Sequence, residues 1–345
     1  MTETGQRELG ASGLVVPAIG IGTDSWGEKL LGYGKRYAAD DLFAAYRACL
    51  DAGLSFFDTA EGYARGDSER LLGEFRRRDG REIIIATKFD NHALFSPNRR
   101  RRSARSIQEA LDGSLRRLGV ERIDLYQVHF ALKPEVIDEY MEVLAGAVQA
   151  GKIRTVGVSN FNAALMHQAH SSLAARGVPL ASNQVSYNLL HRYPETNGVL
   201  DACRDLRVAL IPCIPLAVGI LTGKYRHGAA KLTHFQRLFF RLGALDPFKE
   251  CPERGSLAGR LLAKPRELRF GALEPMFAVI EEIAEARGKS IVQVALNWLL
   301  TTDSCVIPIP GAKNERQARE NAGVLGWSLT QEEHGRIGRA EAEAR

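Results

Sequence analysis

Residues 56–63 read FFDTAEGY, residues 83–88 read IIIATK and residues 123–129 read IDLYQVH. Each opens on a short apolar run of strand length and ends in polar chemistry. Asp58, Lys88 and His129 therefore close three strands in succession, and Tyr63 sits on the turn just after the first. Working outward, similar runs lie at 18–23, 155–160, 182–187, 208–216 and 304–310. All are near-continuously apolar rather than alternating, as parallel strands covered on both faces require. Between them, stretches at 40–52, 68–77, 103–118, 134–150, 163–175, 194–206, 273–287 with 290–301, and 314–322 read as amphipathic helices. Gly53 and Gly151 follow two of these where a left-handed cap is wanted. Eight strands each followed by a helix predict a (β/α)8 TIM barrel, one domain over residues 1–345, in preference to an open doubly wound sheet. The polar chemistry favours the barrel too, because it recurs at strand ends along the whole chain. Residues 7–16 predict a small β-hairpin around Ala11-Ser12-Gly13 that caps the barrel bottom.

Composition agrees with a globular protein of this size. Of 345 residues, 45% are hydrophobic and 25% charged, so the chain can bury a full core. The net charge of +5 is mild and argues for neither a nucleic acid nor a membrane partner. The first residues, MTETGQRELG, lack an apolar signal region, and no stretch approaches a membrane span. The five cysteines show no C-x-x-C spacing, which predicts reduced thiols in a cytoplasmic protein and no metal site.

The four strand-end residues suit reduction of a carbonyl. Hydride must reach carbon while oxygen gains a proton, so the protein supplies orientation, charge stabilisation and a proton donor. Tyr63 would be that donor. A free phenol has a pKa near ~10, too high for an ideal acid, and a nearby ammonium should lower it, so Lys88 is expected beside Tyr63. Asp58 would balance the buried ammonium. His129 would donate a hydrogen bond to the substrate oxygen if its tautomer allows.

From about Arg7 to the last helix near Ile337, the chain resembles the aldo-keto reductases. The likeness lies in LGASGLVVPAIGIGT, FFDTAEGY, IIIATK, LRRLGVERIDLYQVH, GKIRTVGVSNF, ASNQVSYN, PLAVGILTGKY and VIPIPGAKNERQARENAG. The resemblance implies that Tyr63 is the general acid/base, Lys88 and Asp58 its tuning pair, and His129 the carbonyl-orienting residue. It implies that Ser159, Asn160 and Gln184 hold the nicotinamide carboxamide, with Gly22 and Thr23 close by. Residues 215–224 resemble the loop over the pyrophosphate, with Pro215 and Leu216 at its start and Lys224 as a charge partner. Gly311, Lys313, Gln317, Glu320 and Asn321 match positions at the adenosine end, where a helix start near Asn314 favours phosphate. Lys313 could meet a 2′-phosphate, so NADPH is the implied cofactor, with NADH as the alternative; many relatives carry Arg where this chain has Gln317. The dinucleotide fingerprint does not apply to GIGTDSWG, because Ser25 stands where a third glycine belongs. Its Gly20 and Gly22 are expected to let backbone pass near the nicotinamide. Cys213 stands where relatives stack an aromatic ring on that nicotinamide, and Phe130-Ala131 replaces a frequent Trp-Pro.

Trp26 and Phe130 are the expected substrate-pocket walls, together with long loops at 89–102 and 224–269. The run Arg99–Arg102 predicts a solvated face or, more sharply, steering of an anionic substrate. Phe235, Leu238, Phe239 and Leu242 at helical spacing predict a lid or a subunit interface, and hence a homo-oligomer as one outcome. Three functions fit: an NADPH-dependent aldehyde or ketone reductase, an NAD(P)+-dependent sugar or alcohol dehydrogenase, and a cofactor-binding regulatory protein like the β subunits of potassium channels.

Overall fold

The computed structural model describes residues 5–91, 103–226 and 270–343. Strands β1 (Gln6–Glu8) and β2 (Val15–Pro17) form the expected antiparallel hairpin. The barrel strands follow: β3 (Ile21–Gly22), β4 (Phe56–Asp58), β5 (Ile84–Phe89), β6 (Ile123–Val128), β7 (Ile153–Ser159), β8 (Leu180–Ser186) and β9 (Ala209–Cys213). They pair in sequence order as one parallel seven-stranded sheet. Helices α1 (Ala39–Asp51), α2 (Asp67–Asp79), α3 (Ala104–Leu118), α4 (Pro134–Gln149), α5 (Ala163–Ala174), α6 (Val199–Asp205), α7 (Glu274–Arg287), α8 (Ile291–Thr302), α9 (Glu315–Ala322) and α10 (Gln331–Glu343) cover it.

The eighth run, at 304–310, is the segment that closes the barrel, although it forms only isolated bridges. Ile307 and Ile309 donate their N–H groups to Leu210 and Pro212 of β9, at 2.8 and 3.2 Å. Pro308 and Pro310 turn toward β3 and accept from Gly20 and Gly22 at 2.9 and 3.1 Å. Proline has no N–H, so half of that ladder is absent and a regular strand does not form. The (β/α)8 architecture is therefore complete in connectivity, with a proline-weakened seam.

The seam also explains the glycines of GIG. A Cβ on Gly20 would stand 2.6 Å from a Phe56 ring carbon, and one on Gly22 would stand 2.9 Å from the Ile309 carbonyl oxygen. The room they leave is filled by barrel neighbours, so closure of the sheet requires both glycines.

Inside the barrel, Leu9, Leu14 and Val16 of the hairpin pack with Phe56, Leu125, Ile211 and Ile307. A larger apolar layer lies between sheet and helices. Helix starts are set locally: Ser103 and Ser290 form capping boxes, and Asn162 and Asn314 cap α5 and α9. The stretch read as a helix from 194 breaks at Gly198, whose φ of 81° delays α6 to Val199. No helix among the described residues is long and apolar enough to cross a membrane.

Arg7 ties the hairpin to the seam. Its guanidinium donates to the carbonyls of Asp303 and Leu300, both at 2.7 Å, and to that of Val306. Arg7→Met leaves three carbonyls without this donor and should lower the unfolding free energy by about 1–3 kcal/mol. Urea denaturation should show a lower midpoint at unchanged slope; a midpoint equal to that of the parent protein would contradict this role.

Candidate active site

Parallel pairing brings the ends of β4, β5, β6 and β8 to one rim. Asp58 pairs in register with Ala86, Lys88 with Gln127, and Ser159 with Gln184. The turn after β4 is held to β5 by the Glu61 N–H donating to the Lys88 carbonyl at 3.0 Å. Tyr63 begins a short turn in which Ala64 and Arg65 both take left-handed φ values, 47° and 57°. Two such residues in a row are costly for non-glycines, and the strain aims the phenol back over the rim.

Lys88 is fully buried and donates three hydrogen bonds: to Asp58 Oδ1 at 2.6 Å, to the Thr59 carbonyl at 2.8 Å and to the Tyr63 hydroxyl at 3.1 Å. Asp58 Oδ2 accepts from Gln184 Nε2 at 2.9 Å and Gln127 Nε2 at 3.2 Å. The His129 ring meets the Tyr63 ring edge-on with centroids 5.7 Å apart. Its Nδ1 is hydrogen-bonded to Asp90 Oδ1. All four expected residues thus converge. Three partners escaped sequence reading: Gln127, Asp90 and the Thr59 carbonyl. Gln127 and Asp90 had a usable signal, since each lies two positions from His129 or Lys88 and so on the same strand face.

The electrostatics differ from expectation in one respect. Tyr63 is pushed well above its ordinary pKa, first by burial and then by the charges of Asp58, Asp24 and others. The ammonium that was to lower it is already balanced by Asp58, so the phenol is held protonated. Burial lowers the pKa of His129, opposed by its bond to Asp90 and aided by Lys88. Burial raises the Cys213 thiol to about 12, so it is a neutral, unreactive group.

The residues expected at a cofactor fall into three groups. Ser159 Oγ donates to the Gln184 carbonyl at 2.8 Å, and Asn160 Nδ2 donates to Ser159 Oγ and the His129 carbonyl, both at 3.0 Å. Asn160 adopts φ 63° and is not the helix cap, a role taken by Asn162. Both N–H groups of the Asn160 amide and one of the Gln184 amide are thus engaged within the protein. Thr23 is fully buried; its hydroxyl donates to the Asp58 carbonyl at 3.0 Å and pairs with Ser68 at 2.8 Å. It braces the rim rather than lining the cleft.

After β9, Pro215 and Leu216 lead into a turn in which Ala217, Val218 and Gly219 all have positive φ, with Ile214 before them. Such successive left-handed residues turn backbone N–H groups to one side. Lys224 Nζ lies over this turn, 2.9 Å from where a Gly219 Cβ would stand. Across the cleft, Lys313 sits above the Tyr37 ring at 5.1 Å. Burial lowers the Lys313 pKa, Asp24 opposes this, and Lys224 and Arg36 add to it. Gln317 accepts from the Lys313 N–H at 2.9 Å, Asn321 donates to the Gly311 carbonyl at 3.2 Å, and Glu320 pairs with Arg316 at 3.3 Å. These three build the loop, and the cations beside it suit phosphate.

Phe130 stacks on His129 with centroids 4.5 Å apart and so stands beside the rim residues. Trp26 does not. It is fully buried, packs against Phe57 and Phe75, and donates its indole N–H to the Ala312 carbonyl at 2.9 Å. The nearby glycine turn directs it into the helix layer, so it is a core residue and not a pocket wall. Arg99–Arg102, Phe235, Leu238, Phe239 and Leu242 lie outside the described residues.

A family model described as "Aldo/keto reductase family" matches residues 18–342. The chain belongs to the aldo/keto reductase family. It is 32% identical over 338 residues to the chloroplastic pyridoxal reductase of Arabidopsis thaliana, covering 93% of this chain and 82% of that protein. It is 31% identical over 325 residues to the L-glyceraldehyde 3-phosphate reductase of Escherichia coli K12, covering 92% and 87%. Among solved structures, a glycerol dehydrogenase of Gluconobacter oxydans superposes with TM-score 0.77 at 27% identity, covering 99% and 96%. An aldo-keto reductase of Klebsiella pneumoniae in complex with NADPH gives 0.68 at 25% identity, covering 97% and 95%. The protein is thus an NAD(P)H-dependent oxidoreductase acting on small carbonyl compounds.

The Asp58–Lys88 pair makes a prediction of its own. Lys88→Met leaves a buried carboxylate without its cation and should cost about 3–5 kcal/mol of stability. Replacing both, with Asp58→Asn beside Lys88→Met, should recover a large part of that loss in thermal unfolding. A double variant as unstable as the sum of two singles would show that the pair does not act as a unit.

Proposed function

We propose that this enzyme reduces a small polar aldehyde or ketone with NADPH, and that Tyr63 gives the proton to the substrate oxygen. The observation that carries this reading is the Tyr63 hydroxyl held by Lys88 Nζ at 3.1 Å at the barrel rim, with the phenol protonated and His129 beside it. Bound reduced nicotinamide would supply the hydride. Lys88 would stabilise the phenolate left after proton transfer, which requires no new charge to enter the site. Asp58, fixed by Gln127 and Gln184, keeps the ammonium in place.

Ser159, Asn160 and Gln184 would hold the carboxamide, with Gly22 and Cys213 as further proposed contacts of the nicotinamide. Cys213 gives less stacking surface than an aromatic ring, so orientation would rest more on the side-chain amides. The pyrophosphate fits the left-handed turn that begins at Pro215 and Leu216. Preference for NADPH would follow from Lys313, whose charge is opposed by Lys224 and Arg36 and favoured by Asp24. A 2′-phosphate there would relieve their mutual repulsion. The substrate class follows the relatives, whose names cover a phosphorylated triose, an aromatic aldehyde and a polyol.

Two variants test this. Tyr63→Phe should remove carbonyl-dependent oxidation of NADPH while NADPH still binds, as read by calorimetry; near-normal turnover would refute the proton role. Lys313→Ala should weaken NADPH binding about tenfold or more, the effect of losing a charged hydrogen bond, and leave NADH nearly unchanged. Equal losses for both cofactors would place the 2′-phosphate elsewhere.

A further inference from the structure

Asp90 is a buried carboxylate in the mouth that the proton transfer above does not use. It lies two residues beyond Lys88, at the end of β5, and its side chain is fully buried. Its main-chain N–H donates to Glu61 Oε1 at 2.7 Å, which fixes the base of the side chain. Oδ1 meets His129 Nδ1. Oδ2 has no hydrogen-bond partner among the described residues. It is pressed against Gly62, where a Cβ would stand only 2.1 Å away. The glycine of AEGY thus makes room for this carboxylate. Among the described residues, the one polar partner of Asp90's side chain is the imidazole of the proposed catalytic site.

That contact decides which ring nitrogen of His129 carries a proton. An ionised carboxylate only accepts hydrogen bonds, so Nδ1 must donate. In a neutral imidazole the other nitrogen is then a bare acceptor. Burial keeps the ring neutral at neutral pH. The charged and titratable groups around it are Asp90 and Lys88 at the end of β5, Asp58 at the end of β4 and Tyr63 on the turn that follows. Phe130 covers one ring face without charge.

We propose that Asp90 is a positioning residue that fixes His129 as the Nδ1–H tautomer, so that Nε2 accepts from an alcohol and donates to a carbonyl only after the Asp90–His129 pair takes up a second proton. The proposal rests on the reading of this site as a carbonyl-reducing one. An alcohol O–H finds an acceptor in the one-proton pair. A carbonyl oxygen has no proton to give and finds a donor only in the two-proton pair. The second proton remains on the pair through turnover, while the proton that the substrate oxygen gains comes from Tyr63. Carbonyl reduction should therefore fall as pH rises through the pair's ionisation, which lies below the ordinary imidazole value. Tyr63 cannot cause that fall, because its phenol ionises well above its ordinary range.

The test has two parts on the full-length protein. First, kcat/KM for NADPH-dependent carbonyl reduction is measured against pH for the parent protein and for Asp90→Ala. Removing an anion beside the imidazole should move the fall to lower pH by about one unit or more. An unchanged pH profile would overturn the proposal. Second, nitrogen NMR on histidine-labelled parent protein reads the ring tautomer, with the His129 signals assigned by their loss in His129→Asn. At mildly alkaline pH, a proton on Nδ1 and a bare Nε2 are expected. The opposite tautomer would overturn the proposal even if Asp90→Ala fails to fold. A parent protein that reduces no carbonyl would refute the function proposed above, and the NMR result would still judge the tautomer.

Discussion

Everything at the rim depends on a buried ammonium. Lys88 is fully enclosed, and each of its three donors is used, on Asp58, Thr59 and Tyr63. Taking such a charge out of water costs several kcal/mol unless its partners are placed to offset it. The barrel supplies that placement. Strand pairing sets Asp58 and Lys88 on neighbouring strands, and Gln127 and Gln184 come from two more to hold the carboxylate's second oxygen. A shift of one residue in any of these registers would turn its polar group outward and leave the charge uncompensated. The ion pair is thus less a source of stability than a condition that fixes four strands relative to each other.

That condition explains the division of labour around the site. The tetrad stands on strand ends and one strained turn, where geometry is tightly held. The groups proposed to meet phosphates stand on turns, on a glycine-containing left-handed segment and near a helix start, where backbone N–H groups and cations suit an anion. One rim carries both because every βα connection of a barrel opens on the same side.

The strand order, the hairpin cap and the convergence of Asp58, Tyr63, Lys88 and His129 were legible in the sequence, because apolar runs ending in polar residues fix both strand and direction. What was not legible depends on contacts between distant segments. Trp26 looks like a mouth residue until its indole finds the Ala312 carbonyl. The need for glycine at 20 and 22 comes from the close approach of Phe56 and Ile309. The seam at 304–310 reads as a strand, yet its prolines permit only alternate hydrogen bonds. Tyr63 shifts upward, against expectation, for a related reason: the charge of Lys88 is visible in the sequence, whereas the burial that raises the phenol is not. The spacing of Asp90 from Lys88 puts it on the same strand face, but its meaning depends on the imidazole that it meets.

The central claim is that the rim passes hydride and proton to one carbonyl group, and isotope transfer tests it most directly. NADPH carrying deuterium at the transferable position of its nicotinamide would be turned over with a small aldehyde, and the alcohol examined by mass spectrometry and NMR. The account predicts one deuterium, bound to the former carbonyl carbon and absent from the exchangeable hydroxyl. An alcohol that forms without deuterium at that carbon, or NADPH that binds while no aldehyde is reduced, would contradict it.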